Sequence, residues 1–569
     1  MRLLIEDFPY PSDSARELLC EGDYRIAGDV CRVSKIGYYY NPLIRDCVFI
    51  LPKVILDYHD NDSDDTVFGN LSPLDIIDVE KALSNELLNP DQRNFIYNFS
   101  TWIYRAIFEY AKINDKLPEN QQSKIIYRKQ FHRVDHNGQQ NDSTLLDTIL
   151  SLIRFANENR EYFMFIIRNI HSGYNKIHWN KTISKKDTII CNGAPYYIDT
   201  VNRKKQINFD EELLIIFYSI LAHVRDKYGF PINFDVNYQL ITGYKFESYI
   251  AGLGKSRLLQ IKYKYFSDKA LQLWHLCYNF FTVSELMSSK PDTDEYLLVS
   301  DFDIVFETMI DTLISENNIP VALRNQRDGK IVDHIYPYTS LISSDNIYYI
   351  GDSKYYKIGG AVHGYSEYKQ YTYARNVIHY NINLLLRDNK SLLANRLLYR
   401  DSLTEGYNPT PNFFISAEID NQYRYNEPGI HLRKNRDGKN YSVSRHFENR
   451  LFDRDTLWLS HYSINFLYVV ALFISSNQNA RDDFKARIRQ SFREHLIGFL
   501  NGMYDFYIFN GDKEEMESFV NDHFRELSGK LFHFSGTLIM ALEKGHADST
   551  KIHQLYSTQF SKHQLPLPF

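Results

Sequence analysis

The stretch KIVDHIYPYTSLI, the polar break SSDN and the run IYYIGDSKYYKIGG that follows constrain the fold of this chain more than any other feature. Both flanks are rich in Ile, Val and Tyr and the break consists of turn formers, which predicts a β-hairpin. Side chains alternate between the faces of a strand, so Asp352 and Lys354 are expected on one face and Ser353 on the other. If Asp333 stands near Asp352 across the hairpin, the two carboxylates lie within about 5 to 8 Å, close enough to share one hard cation. His334 alternates away from Asp333 and reads as structural, while His363, after Gly359 and Gly360, receives no assignment.

Upstream, DFDIVFETMIDTLISENN places Phe302, Val305, Phe306, Met309, Ile310 and Leu313 on one continuous apolar face, which predicts a helix. Asp303, Glu307 and Asp311 recur every four residues on the remaining surface. Like charges at that spacing oppose the helix by a few tenths of a kcal/mol, roughly, unless water or a cation relieves them. On the helix alone, a solvated acidic face is the simplest reading.

At 569 residues the chain exceeds what one hydrophobic core accommodates, so two or three packed units are expected. The net charge of -6 and the pI near 6.4 argue against holding nucleic acid by bulk electrostatics, so any DNA contact is local or shared with a partner. Cys20, Cys31, Cys47, Cys191 and Cys277 form no C-x-x-C pair, which indicates neither a zinc site nor a disulfide framework. The N-terminal residues lack the apolar run of a signal peptide, and INFLYVVALFI is about half the ~20 residues of a membrane helix. A cytoplasmic protein without membrane contact is therefore expected.

Four regions emerge. Residues 1–72 read as a β-rich unit, with CRVSKIGYYY and CVFILPKVIL as strands. Residues 73–245 read as mainly helical, from LSPLDIIDVEKALSNELL, PDQRNFIYNFSTWIYRAIFEYAKI, STLLDTILSLIRFANENREYFMFIIRNI and FDEELLIIFYSILAHVRDKYG. This region carries a basic, aromatic insertion from His171 to Gln206, expected as a projecting hairpin and assigned to partner docking. Residues 246–480 hold the hairpin, the strand NFFISAEID and a buried strand with its following helix in LWLSHYSINFLYVVALFI. Residues 481–569 read as C-terminal helices. The basic runs around Arg128 and around Arg433, Lys434, Arg436 and Lys439 are either solvated connections or contacts to DNA phosphates. GLGKSR near Gly252 supplies half of a phosphate loop, but Tyr249 occupies the position where the motif demands glycine.

The ordered set of a helical Glu307, then Asp333, then Asp352-Ser353-Lys354 resembles the PD-(D/E)xK nuclease core. More narrowly, IGYYYN with FILPKVIL, TWIYRAI, HSGYNKIHWNKTI, VDHIYPY with GDSKYYK, and HFENRLFDRDTLW with SINFLYVVALF resemble McrC-like subunits of the LlaJI restriction family. The resemblance implies an α/β (α+β) fold with a mixed sheet flanked by helices. It also implies hydrolysis of double-stranded DNA with Mg2+, or Mn2+ in its place, and a McrB-like AAA+ GTPase as partner; self-association is left open. Glu307, Asp333 and Asp352 would be the metal ligands, with Lys354 catalytic and Gln370 in support. Two departures stand out: Val332 precedes Asp333 where the core is named for proline, and Gln370 lies three residues before Tyr373, whereas Lys369 has the four-residue spacing usual for the supporting glutamine. The acidic net charge motivates a different reading, a non-catalytic activator of a GTPase with a vestigial nuclease core.

Overall fold

The computed structural model describes the chain except residues 20–23, 130–131, 137–138, 160–165, 171–176, 207–211, 235, 237, 266, 290–294, 317, 327–328, 330, 359–363, 387–398, 421, 436–437 and 569. His363, Gly359, Gly360 and Arg436 thus lie outside the described residues.

A first sheet gathers β1 (Arg2–Ile5), β2 (Lys35–Asn41), β3 (Asp46–Leu51), β4 (Ile126–Lys129) and β5 (Glu295–Ser300) in the order β1-β3-β2-β5-β4. Its strands come from both sides of the boundaries drawn at 72 and 245, because β5 pairs antiparallel with β2 and β4. Gly37 permits that pairing: at φ 137° a Cβ there would sit 2.2 Å from the carbonyl oxygen of Leu297.

Against this sheet lies α1 (Pro90–Asp115), started by Asn89 and Gln92 in a reciprocal cap with Pro90 in the first turn. Its buried positions Ile96, Phe99, Ile103 and Ile107 recur at helical spacing. The next helix, α2 (Leu145–Glu158), is capped by Thr144 and Asp147. The helix α3 (Glu212–Tyr228) is found where its apolar periodicity predicts it.

The second sheet follows α4 (Phe302–Ile314). It is built from β6 (His334–Thr339), β7 (Asn346–Lys354), β8 (Asn412–Glu418), β9 (His431–Leu432), β10 (Tyr441–Ser444) and β11 (Leu457–Asn465). The order is β6-β7-β8-β11-β9, with β10 also on β11. β6 and β7 form the expected antiparallel hairpin, while β7, β8 and β11 run parallel. Parallel neighbours need a long crossover, supplied between β7 and β8 by α5 (Gly364–Leu386) and the segment after it. α5 covers the face bearing Asp352. On the other face Phe413 packs at a tilt and Tyr462 stacks on Phe492 of α7 (Gln478–Met503), with ring centroids 4.8 and 4.1 Å apart. Gly351 leaves room there, since a Cβ would meet the Phe413 ring at 2.0 Å. Asn465 ends β11 and caps α6 (Phe466–Ile474), the strand and helix read from LWLSHYSINFLYVVALFI. The molecule is thus mixed α/β with several sheets, in keeping with α+β.

Three expectations are corrected. The tail is not all helical: β12 (Tyr504–Phe509), β13 (Leu531–Phe534), β14 (Thr537–Glu543) and β15 (Phe560–His563) form an antiparallel sheet. Ser535 and Gly536 both adopt positive φ between β13 and β14, the conformation that joins twisted strands through a two-residue turn. In LSPLDIIDVEKALSNELL only Val79–Ser84 is helical, from its cap at Asp78, and in STLLDTILSLIRFANENREYFMFIIRNI the helix ends at Glu158 while Ile166–Ile170 is a strand paired antiparallel with Asn202–Gln206.

GLGKSR, as expected, makes no phosphate loop, because Tyr249–Leu253, where the loop would lie, is itself helical apart from Gly252, and Lys255 pairs with Glu285 at 3.0 Å. The basic insertion does carry a short hairpin, Ile189–Cys191 with Ala194–Tyr196, whose residues are exposed. Among the described residues no helix is long and apolar enough to cross a membrane.

Candidate metal centre

Register places the carboxylates. His334 pairs with Gly351 in the hairpin, so Asp333, one step beyond, stands opposite Asp352. α4 packs along β6 and β7 and delivers Glu307 to the same point. One carboxylate oxygen from each of Glu307, Asp333 and Asp352 lies within 4.8 Å of the other two, the one such cluster of three ligand residues among the described residues. Asp352 is 1% exposed, whereas Glu307 and Asp333 are half-buried. The Nζ of Lys354 donates to Oδ2 of Asp352 at 2.6 Å and lies 5.0 Å from the centroid of the Phe414 ring.

This arrangement is electrostatically unbalanced. At such separations two carboxylates repel by about 3 kcal/mol per pair at an effective dielectric near 20. One ammonium cannot offset three such charges. Burial, then the charges of Asp352 and Glu307, push the Asp333 carboxyl well above its ordinary range. Burial, then Asp352 and Asp303, do the same to Glu307, with Lys354 and Lys369 opposing. The trio must hold a proton or a cation. Three carboxylates with open approach from the half-buried side suit a hard divalent ion that keeps part of its water, and offer no soft ligand for zinc or copper.

The neighbouring acid on the same helical stripe behaves oppositely. Asp311 receives two hydrogen bonds from Arg324, at 2.9 and 3.0 Å, and lies 3.6 Å from Nδ1 of His334. Burial opposes ionisation there, but His334 and Arg324 hold its pKa down to about 2. His334 is fully buried and bonds Ser353 Oγ through Nε2 at 2.5 Å, on the face away from Asp352. The structural reading of His334 thus agrees with its surroundings.

Gln370 is fully buried on α5 and neither of its amide atoms has a hydrogen-bond partner, so it is not bonded to the carboxylates. Lys369 is exposed and lies 5.4 Å from the Tyr373 ring centroid. Burial opposes its charge, but the Tyr373 hydroxyl, Asp352 and Asp333 favour it and raise its pKa. The only sequence signal for Lys369 was its four-residue spacing from Tyr373. A second group not singled out in the sequence joins Glu367, Ser442 and His461. Ser442 Oγ is 3.0 Å from Glu367 Oε1 and 3.2 Å from His461 Nε2, and burial, with Arg433, lowers the His461 pKa to about 4. The loop before Asp333 is tied to α5 by Gln326, which donates to the Tyr373 carbonyl at 3.3 Å and accepts from Asn376 at 2.7 Å.

In comparisons with known proteins, no family model, no curated protein and no solved structure matches the chain.

Proposed function

We propose that this chain is the nuclease subunit of a McrBC- or LlaJI-like restriction system and hydrolyses DNA phosphodiester bonds at the Glu307, Asp333 and Asp352 cluster with Mg2+, or Mn2+ in its place. The observation that carries the reading is the convergence of three acidic side chains with Lys354 in hydrogen-bond contact. The architecture supports it: a helix bearing Glu307, a hairpin bearing both aspartates and the lysine, and a helical crossover to a parallel strand follow the order of the PD-(D/E)xK core.

A divalent ion held by the trio would supply Lewis acidity to the attacking water and to the phosphate oxygens. Asp352, buried and central, fixes the site. Asp333 and Glu307 would complete the donor set, binding the ion as carboxylates. Lys354, in hydrogen-bond contact with Asp352, would orient the attacking water and offset charge on the scissile phosphate. On α5, Gln370 offers an unpaired buried amide and Lys369 adds positive charge at the exposed side. With a net charge of -6 the chain has little bulk attraction for DNA, which favours delivery by a McrB-like AAA+ GTPase.

The test is cleavage of duplex DNA by the purified chain with its GTPase partner, GTP and Mg2+. Wild-type protein is expected to cut, and Asp352→Ala to lower the rate by about a hundredfold or more. Undiminished cutting by Asp352→Ala would remove the assignment. Intact DNA together with stimulated GTP hydrolysis would favour the activator reading instead.

A further inference from the structure

Tyr355 follows Lys354 in the chain and is buried where three parts of the molecule meet. Its ring packs on Phe302 and Phe306 of α4, with centroids 5.5 and 6.4 Å away, on the turns of helix that lead to Glu307. Its hydroxyl donates to Oε2 of Glu6 at 2.6 Å and accepts from the Lys53 amide at 2.9 Å. Both partners belong to the first 72 residues.

The attachment continues downstream. Lys357 reaches Asp65 and Asp62 at 2.6 and 3.0 Å. The amide of Ile358 donates to the Leu56 carbonyl at 2.9 Å, and its own carbonyl accepts from Tyr58 at 3.0 Å. β7 ends at Lys354, so the ladder with β8 stops at that residue. Beyond it the backbone is held by the N-terminal unit rather than by its own sheet.

We propose that Tyr355 is a positioning residue through which the N-terminal unit sets the distance between Lys354 and Asp352 on β7 and Glu307 on α4, and with it the cation affinity of the centre. The proposal rests on the reading of the trio as a cation site. The hydroxyl resists displacement, because moving it takes from the half-buried Glu6 carboxylate its 2.6 Å donor and leaves it the Lys53 amide at 3.2 Å. The aromatic contact with α4 passes the same constraint to Glu307. Groups hydrogen-bonded directly to a metal ligand are worth roughly 10- to 100-fold in metal affinity, and Tyr355, which acts through the backbone and through α4, is placed at the lower end of that range.

The test uses the full chain and Mn2+ titrated into metal-free protein. Tyr355→Phe keeps the ring and removes the hydroxyl, and is expected to raise the Mn2+ dissociation constant by about tenfold. Glu6→Leu, which removes the acceptor from the other side, is expected to do the same. Met540→Ala, in the remote C-terminal sheet, is expected to lower the melting temperature and leave the constant unchanged. Wild-type affinity in both Tyr355→Phe and Glu6→Leu would overturn the proposal while leaving the cation site standing, and so would an equal shift in Met540→Ala. Wild-type protein that binds no Mn2+ would overturn the reading of the centre and this inference with it.

Discussion

Three carboxylates of one centre and a fourth on the same helix stripe show how environment divides identical chemistry. Asp311 is ionised because Arg324 and His334 hold it, whereas Asp333 and Glu307 are pushed toward the protonated form by burial and by Asp352. A carboxyl whose folded pKa is raised binds its proton more tightly in the folded state. Its contribution to stability is full below the unfolded pKa, near 4, and is lost as pH rises through the folded value. Metal-free protein is therefore expected to lose stability between about pH 5 and pH 9, and Mg2+ to restore it most at the alkaline end. Asp333→Asn removes one titratable carboxyl, and with it the proton uptake that folding requires at alkaline pH, at nearly constant shape. At about pH 8 it is expected to stabilise metal-free protein by on the order of 1 kcal/mol and to abolish the Mg2+-dependent rise in melting temperature. Thermal denaturation with and without Mg2+ checks both. A variant less stable than wild type and still protected by Mg2+ would contradict the charge balance described above.

Among the elements, α4 matters most, because its register sets Glu307. Its C-terminal carbonyls are held by α7: Arg489 donates from Nε and Nη2 to the Ile314 carbonyl, at 3.0 and 2.5 Å, and from Nη1 to Glu316 at 2.7 Å. Its guanidinium also lies 4.4 Å from the Tyr336 ring centroid. Arg489→Met is expected to cost about 2 to 3 kcal/mol in denaturant unfolding, since charged hydrogen bonds to a helix terminus are lost in a buried place. The same elements mark what the chain shows by itself. The hairpin, α4 and the β11-α6 pair were legible because turn residues bound them and their apolar periodicity is unambiguous; once SSDN is taken as the turn, Asp333, Asp352 and Lys354 follow from alternation. The strands near the C-terminus were not, since DFYIF and TLIMALE are short apolar runs that suit a helix as well as a strand. The Ser535-Gly536 pair was the available signal. Tyr355 was illegible for another reason: its partner Glu6 lies 349 positions away, and only tertiary packing brings them together.

At the scale of the whole molecule, the first sheet and the carboxylate centre are not separable by cutting the chain. β5 is paired on one side with β2, and residues 355–358 are fastened to Glu6, Leu56, Asp62 and Asp65. A chain beginning at residue 73 is therefore expected to lose cooperative unfolding and the cation site together, as read by near-ultraviolet circular dichroism and Mn2+ titration. A truncated chain that folds and binds Mn2+ with full affinity would show the two regions to be independent. The central claim, that Glu307, Asp333 and Asp352 together hold a divalent ion, is tested most directly by anomalous diffraction from crystals of the full chain soaked in Mn2+. The expected result is a peak within about 2.0 to 2.3 Å of oxygens from Asp352 and Asp333, with Glu307 bound directly or through water. A soaked crystal with no anomalous density among these three side chains would contradict it.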